Sequence, residues 1–414
     1  MNHPTSRAQP GLTSPRNRFS DARSRPSVGF VSTYPPAMCG LATFTSSLRS
    51  AFAINRGSTE GLDVIELIDG FSSPVRDRAE VMMSVDPADP FSLRMAADRV
   101  SSYDSVILQH EYGIWGPDMG LPVIDFVERV ETGLITTLHT LLPDPSRVQE
   151  KIIDVLADRS DYLVVPSHAS EDLLAKQYGI DSASIVVIPH GTNPFLPSVA
   201  RLRALMPQLE RPPRLLTWGL IGPGKGLEWS LRAVHLLKSR YEGVRYTIAG
   251  KTHPKVLRHE GERYRRRLQD LVAELGLQEN VELVDDYVSE TLLRDLLLDT
   301  TIVVLPYDSS EQIVSGVLVE AVAANTPVVA TAFPHALELA NQGAASVVPH
   351  QNPQAIADAV TLLLEVPEAW EQMTTAQWKI APGLEWESVA LDYGRLVESL
   401  IRPPVPARHV SPVS

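Results

Sequence analysis

Short apolar runs recur along the chain, and amphipathic stretches fill the gaps between them. SVGFVST, LDVIELI, SVILQH, LITTLHT, YLVVPS and IVVIPH are rich in β-branched residues and read as strands. FTSSLRSAFAI, GLPVIDFVERV and SEDLLAKQYG repeat apolar residues every three or four positions, which is helical spacing. Strands that are apolar nearly throughout, separated by helices, predict an α/β protein with a parallel sheet covered on both faces.

The pattern breaks at 194–214, PFLPSVARLRALMPQLERPPR, where prolines and mixed polarity predict a linker. It then restarts with RLLTWGL, YTIAG, NVELVDD, TIVVLP, PVVAT and ASVVP, again with helices between. Two consecutive parallel α/β units are therefore expected, over 27–200 and 201–385, and two such units facing each other form a cleft. A last helix covers roughly 386–402. No short-period repeat is visible, so a solenoid is not expected.

Composition narrows the function. The chain has 414 residues, 44% hydrophobic and 21% charged, which is ordinary for a globular protein of this length. Residues 1–26 and 403–414 are rich in proline and polar residues and are expected to be disordered tails. The arginines of the first tail leave a peripheral membrane contact open. No apolar run approaches the ~20 residues of a membrane span. No apolar core of a secretory signal opens the chain, so a cytoplasmic location is expected. One cysteine excludes a disulfide framework, and a net charge of −13 argues against a nucleic-acid polymer as partner. A small phosphate ligand in a local basic pocket stays compatible with that charge.

In parallel sheets ligands gather beyond the carboxyl ends of strands, against loops and helix N-termini. GLIGPGKG follows the first strand of the second unit. Gly222 and Gly224 let backbone amides approach an anion, and Lys225 places a point charge at a helix start. A plain glycine-rich turn with a solvated lysine is the alternative. GKTHPKVLRHE crowds Lys251, His253 and Arg258 past another strand, a candidate anion pocket. In SEQIVSGVLVEAVAAN a helix opens at Ser315-Gly316, so the amides of Ser315, Gly316, Val317 and Leu318 face outward at its positive end. Glu320 stands in the same apolar helix, where a carboxylate needs a partner such as a pair of ribose hydroxyls. In the first unit His110 and Glu111, His139 and His190 follow successive strands and are candidates for one wall of the cleft. No metal-ligand spacing is present, so no metal is expected.

GLIGPGKG, PHGTNP and SGVLVEAVAANTPVVAT stand in the order seen in family-four retaining glycosyltransferases of the GT-B fold. STYPPAMCGLATFT, QHEYGIWG and GKTHPKVLRHEGERYR resemble a bacterial subgroup of that family, and the resemblance covers about 27–400. It implies two facing domains, with the nucleotide sugar held mainly by the second, the acceptor on the first, and the last helix returning to the first. Residue by residue, it implies that Lys225 neutralises the donor diphosphate and that Glu320 binds ribose. His139 then faces the donor sugar, and Gly40 lies near the diphosphate. The family's arginine before the lysine is Leu220 here, and its first motif glutamate is Gln312.

The implied reaction is metal-independent transfer of a hexose, with retention, from a nucleoside diphosphate sugar to a hydroxyl acceptor. UDP-glucose and GDP-mannose are the expected donors, as co-substrates rather than cofactors. A nucleotide-sugar epimerase or a phosphorylase on the same architecture is an alternative. So is a non-catalytic sugar-nucleotide-binding subunit, because Leu220 and Gln312 depart from the pattern.

Overall fold

The computed structural model describes residues 25–37, 39–68, 78–193, 212–308 and 313–401. Residues 1–24 of the first expected tail, the whole of the last one, most of the linker and Gln312 lie outside the described residues. Each domain is built on a parallel sheet. The first runs β3 (Val81–Val85), β2 (Leu62–Leu67), β1 (Val28–Ser32), β4 (Ser105–His110), β5 (Gly133–Leu138), β6 (Tyr162–Val165) and β7 (Ile185–Val187). The second runs β10 (Val281–Val284), β9 (Arg245–Ala249), β8 (Arg214–Trp218), β11 (Ile302–Leu305), β12 (Val328–Thr331) and β13 (Ser346–Val348).

All twelve strands expected from sequence are present, and β3 is an addition. Its sequence, VMMSV, lies at the sheet edge and is only partly covered, so it lacks the continuous apolar run that marks its neighbours. Both sheets reverse direction of strand addition once, between β1 and β4 and between β8 and β11. These reversals open crevices at the carboxyl ends of those strands, where doubly wound sheets bind ligands.

Helices cover both faces of each sheet. On one face of the first, Phe30, Ile107 and Ile135 pack with Phe44, Leu48 and Phe52 of the helix Gly40–Arg56. That helix begins at Gly40, ahead of the FTSSLRSAFAI stretch whose period marks it in the sequence. Trp386, Val389, Tyr393 and Val397 of the C-terminal helix (Trp386–Ile401) join the same cluster. The final helix thus returns from the second domain onto the first. The Tyr393 hydroxyl lies 2.8 Å from Thr137 Oγ1 on β5. The crossing is pinned where Thr192 N–H donates to Leu384 O (2.7 Å) and Trp386 N–H donates to Thr192 O (3.0 Å). Gly191 permits this approach, because a Cβ there would stand inside the Trp386 indole. On the far side of the interface, Ala169 N–H, at the start of the helix His168–Gln177, donates to Glu338 Oε2 of the second domain at 3.1 Å.

Candidate active site

The β8/β11 crevice holds Lys225. β8 ends at Trp218, and the chain turns through Gly219–Gly226 into the helix Leu227–Lys238. Gly226 caps that helix in the left-handed region (φ 60°), and a Cβ there would collide with the Pro306 carbonyl. Only glycine lets the loop pass so close to the end of β11. Asp308 N–H donates to Gly224 O at 2.8 Å, which ties the loop to the β11 exit. The Lys225 ammonium lies over the Tyr307 ring, 4.0 Å from its centroid.

Tyr307 also reaches the next element. Its hydroxyl is 3.2 Å from Ser315 Oγ, the N-cap of the helix Gly316–Ala323. Ser315 Oγ accepts from Leu318 N–H at 3.2 Å, closing the first turn. One phenol therefore joins the lysine to a helix end whose amides attract negative charge. Four residues into that helix, Glu320 accepts from the Trp218 indole N–H at 2.9 Å. Burial pushes its carboxyl up to about 7, and the indole opposes the shift.

The first domain supplies the opposite wall. A cavity of about 130 Å³ is lined by Phe44, Thr137, His139 and His190 from that domain and by Val314 and Gly316 from the second. His139 Nε2 lies 2.7 Å from Gln109 Oε1. An amide oxygen only accepts, so Nε2 carries the proton and Nδ1 the lone pair. His190 Nδ1 donates to Gly191 O at 2.7 Å. Its Nε2 lies 3.4 Å from the place a Cβ on Gly316 would take, so this ring sits across from the Gly316 helix start. Burial pulls His139 down to about 3 and pulls His190 down as well. Both rings are neutral at ordinary pH and act there as hydrogen-bonding groups.

The remaining expected residues are placed as follows. His110 is the last residue of β4 and fully enclosed, edge-on to Tyr112 with ring centroids 4.9 Å apart. Strand alternation turns it to the sheet face opposite His139, so it does not line the cavity. Glu111 caps its own turn by accepting from Gly113 N–H at 2.7 Å. Gly40 opens its helix with free space where a Cβ would be. A Cβ at Gly222 would stand 3.1 Å from Val256. Lys251 and Arg258 are exposed, and His253 is half-buried. Among the described residues no three His, Cys, Asp or Glu side chains gather as a metal site.

Four residues important to this geometry were not singled out from sequence: Gln109, Trp218, Tyr307 and Arg265. The Arg265 guanidinium is buried, donates to Gly250 O, and lies 3.2 Å from Asp285 and 3.4 Å from Glu262. It braces the loop after β9. Its helical position beside the apolar Tyr264 and Leu268 is the only signal in the sequence.

Residues 212–366 match the family model described as Glycosyl transferases group 1, and residues 80–194 match Glycosyltransferase Family 4. Solved structures align over nearly their whole length. A sucrose-phosphate synthase from Thermosynechococcus elongatus is 18% identical with TM-score 0.70, covering 91% of this chain and 99% of that one. Anabaena HepE in complex with UDP-glucose is 15% identical with TM-score 0.68, covering 90% and 99%. A glycosyltransferase from Rickettsia africae is 15% identical with TM-score 0.68, covering 91% and 99%. A comparison with curated protein sequences found no match.

Two Rossmann-like domains facing across a cleft, with both family domains in order, define a glycosyltransferase of the GT-B fold. Within that class the two matched domain models support the family-four type.

Proposed function

We propose that this enzyme transfers a hexose from a nucleoside diphosphate sugar to a hydroxyl acceptor, with retention and without a metal ion. The observation that carries the reading is the convergence of Lys225 and the Gly316 helix start on the β8/β11 crevice. As the glycosidic bond breaks, negative charge grows on the leaving diphosphate. A fixed ammonium and the outward amides of a helix stabilise that charge without reorganising. Glu320, once ionised, accepts hydrogen bonds from both ribose hydroxyls. His139, with its Nδ1 lone pair, accepts from a sugar hydroxyl. Gly40, Gly222, Gly224 and the amides of Gly316 and Val317 complete the donor site, with Lys251, His253 and Arg258 at its rim and Gln312 beyond the described residues; the Leu318 amide, expected there from sequence, is instead taken up by Ser315 Oγ. His190 and Glu111 stand on the acceptor side.

Among the described residues that line the interdomain cavity there is no carboxylate. That favours front-face transfer, in which the leaving phosphate oxygen takes the acceptor's proton as the new bond forms. UDP sugars are the favoured donors, since a fold relative binds UDP-glucose. The domains are assigned as 27–200 with the C-terminal helix, and 201–385, in a cytoplasmic protein.

A thermal-shift panel of UDP and GDP sugars tests the donor, because a ligand bound only by the folded state raises the melting temperature by mass action. We expect a UDP sugar to give the largest shift. The anomeric configuration of the product, read by NMR with a panel of acceptors, tests retention. An inverted product contradicts the mechanism, and a donor consumed without any acceptor adduct favours an epimerase.

A further inference from the structure

Lys225 and the Gly316 helix come from separate strand-end loops, and something must hold them in register. We infer that Tyr307 is a positioning residue for the transfer, its ring orienting the Lys225 ammonium and its hydroxyl holding the N-cap that presents the helix amides. The inference rests on the diphosphate role proposed above for Lys225.

Tyr307 is unusually well fixed for the first residues beyond a strand. It is fully buried. Its carbonyl accepts from Thr331 Oγ1 at 2.6 Å and lies 2.8 Å from His350 Nδ1. Phe333 stacks on its ring, with centroids 5.2 Å apart and an interplanar angle of 27°. Phe333 and the Lys225 ammonium both contact the ring and fix its plane. The ring offers its negative π-face to the cation, and burial keeps water from competing for it. The hydroxyl points the other way along the phenol axis, to Ser315. The two functions of the side chain are thus separable: the face acts on the lysine and the hydroxyl on the helix.

The position of Tyr307 fits this role. It follows β11, one of the two strands that flank the second-domain switch point, and Lys225 follows the other, β8. The neighbouring Asp308 is already bonded to Gly224 of the lysine loop. A shift of the β11 exit therefore moves both diphosphate-binding elements together.

The test separates orientation from packing. Tyr307→Phe keeps the ring, and site-specific replacement by mono-, di- and trifluorophenylalanine then drains its negative face with little change in shape. Donor turnover is measured with UDP-glucose, or with the UDP sugar selected by the thermal-shift panel, alongside the melting temperature. The inference predicts a stepwise fall in kcat of roughly tenfold across the series, with KM and melting temperature nearly constant. In a Lys225→Met background the series should be flat. A flat series in the protein that retains Lys225 overturns the inference, as does an equal fall in the Lys225→Met background, which would mean the ring acts only by packing. If Lys225→Met alone turns over donor like the parent, the lysine's own role fails first, and the inference falls with it.

Discussion

At the scale of single residues the account depends on charge placed in a protected crevice. Lys225→Ala should lower donor turnover by about 100-fold or more, the size of loss typical when one group aimed at developing charge is removed. Its melting temperature should stay close to the parent's, and steady-state kinetics with the preferred donor checks both. Glu320 makes a different prediction, because its carboxyl is raised to about 7 from an ordinary value of 4.5. The folded state holds that proton more tightly than the unfolded chain. The associated stability is complete below about pH 4.5 and is lost as pH rises through about 7. Glu320→Gln should therefore match the parent at pH 4.5 and exceed it at pH 8 by on the order of 1–2 kcal/mol, measured by urea unfolding at both pH values. The same variant should bind UDP more weakly at pH 8, since it lacks the ionised acceptor for ribose. Much of this chemistry was legible in the sequence. Lys225 stood out by its glycines, and Glu320 by its apolar neighbours. Their partners Tyr307 and Trp218 did not, because an aromatic residue at a strand end looks like core until the fold brings a cation or carboxylate to it.

At the scale of elements, the strand-end loops matter more than the strands. The glycines divide by what they permit. Gly226 lets the lysine loop pass the β11 exit, and Gly191 makes room for Trp386. Gly191→Ala should cost about 2–3 kcal/mol, because the methyl group has to displace an indole packed against Phe44 and His190. Thermal denaturation measures the loss, and increased proteolysis near the C-terminal helix should accompany it. The helices were readable from their period, and the strands from their apolar runs. β3 was not, because an edge strand is half-covered and its run is short. The opening turn shows a related limit. The buried pair Arg78–Glu66, 2.6 Å apart, holds the Tyr34–Pro36 turn, and Arg78 also donates to the Pro35 carbonyl. The sequence indicated a turn at two prolines but gave no sign of the arginine that braces it from β3's approach.

At the scale of the molecule, the alternation of strands and helices specified two doubly wound domains, and the break near residue 205 divided them. The orientation of the domains is a tertiary property. It is held by the Gly191–Trp386 crossing, the Glu338 contact and the return of the last helix, none of which has a local signature. Several histidines at or just past strand ends are held away from water. His110 and His139 are pulled to about 3 and His335 to about 4 by burial. Each is held neutral in the fold and takes a proton more readily when unfolded. Their contribution is complete above about pH 6.5 and is lost as pH falls toward 4 and 3. The urea midpoint should therefore drop steeply between pH 6.5 and 4, and replacing His110 by Asn should flatten that slope.

The central claim is that the second-domain crevice binds a nucleoside diphosphate through Lys225. Isothermal titration of UDP and of GDP into the parent and into Lys225→Ala tests it most directly. The account predicts saturable binding of one of them to the parent and a loss of about tenfold or more in the folded variant. Equal affinity in the two proteins, or no binding of either nucleotide to the parent, would contradict it.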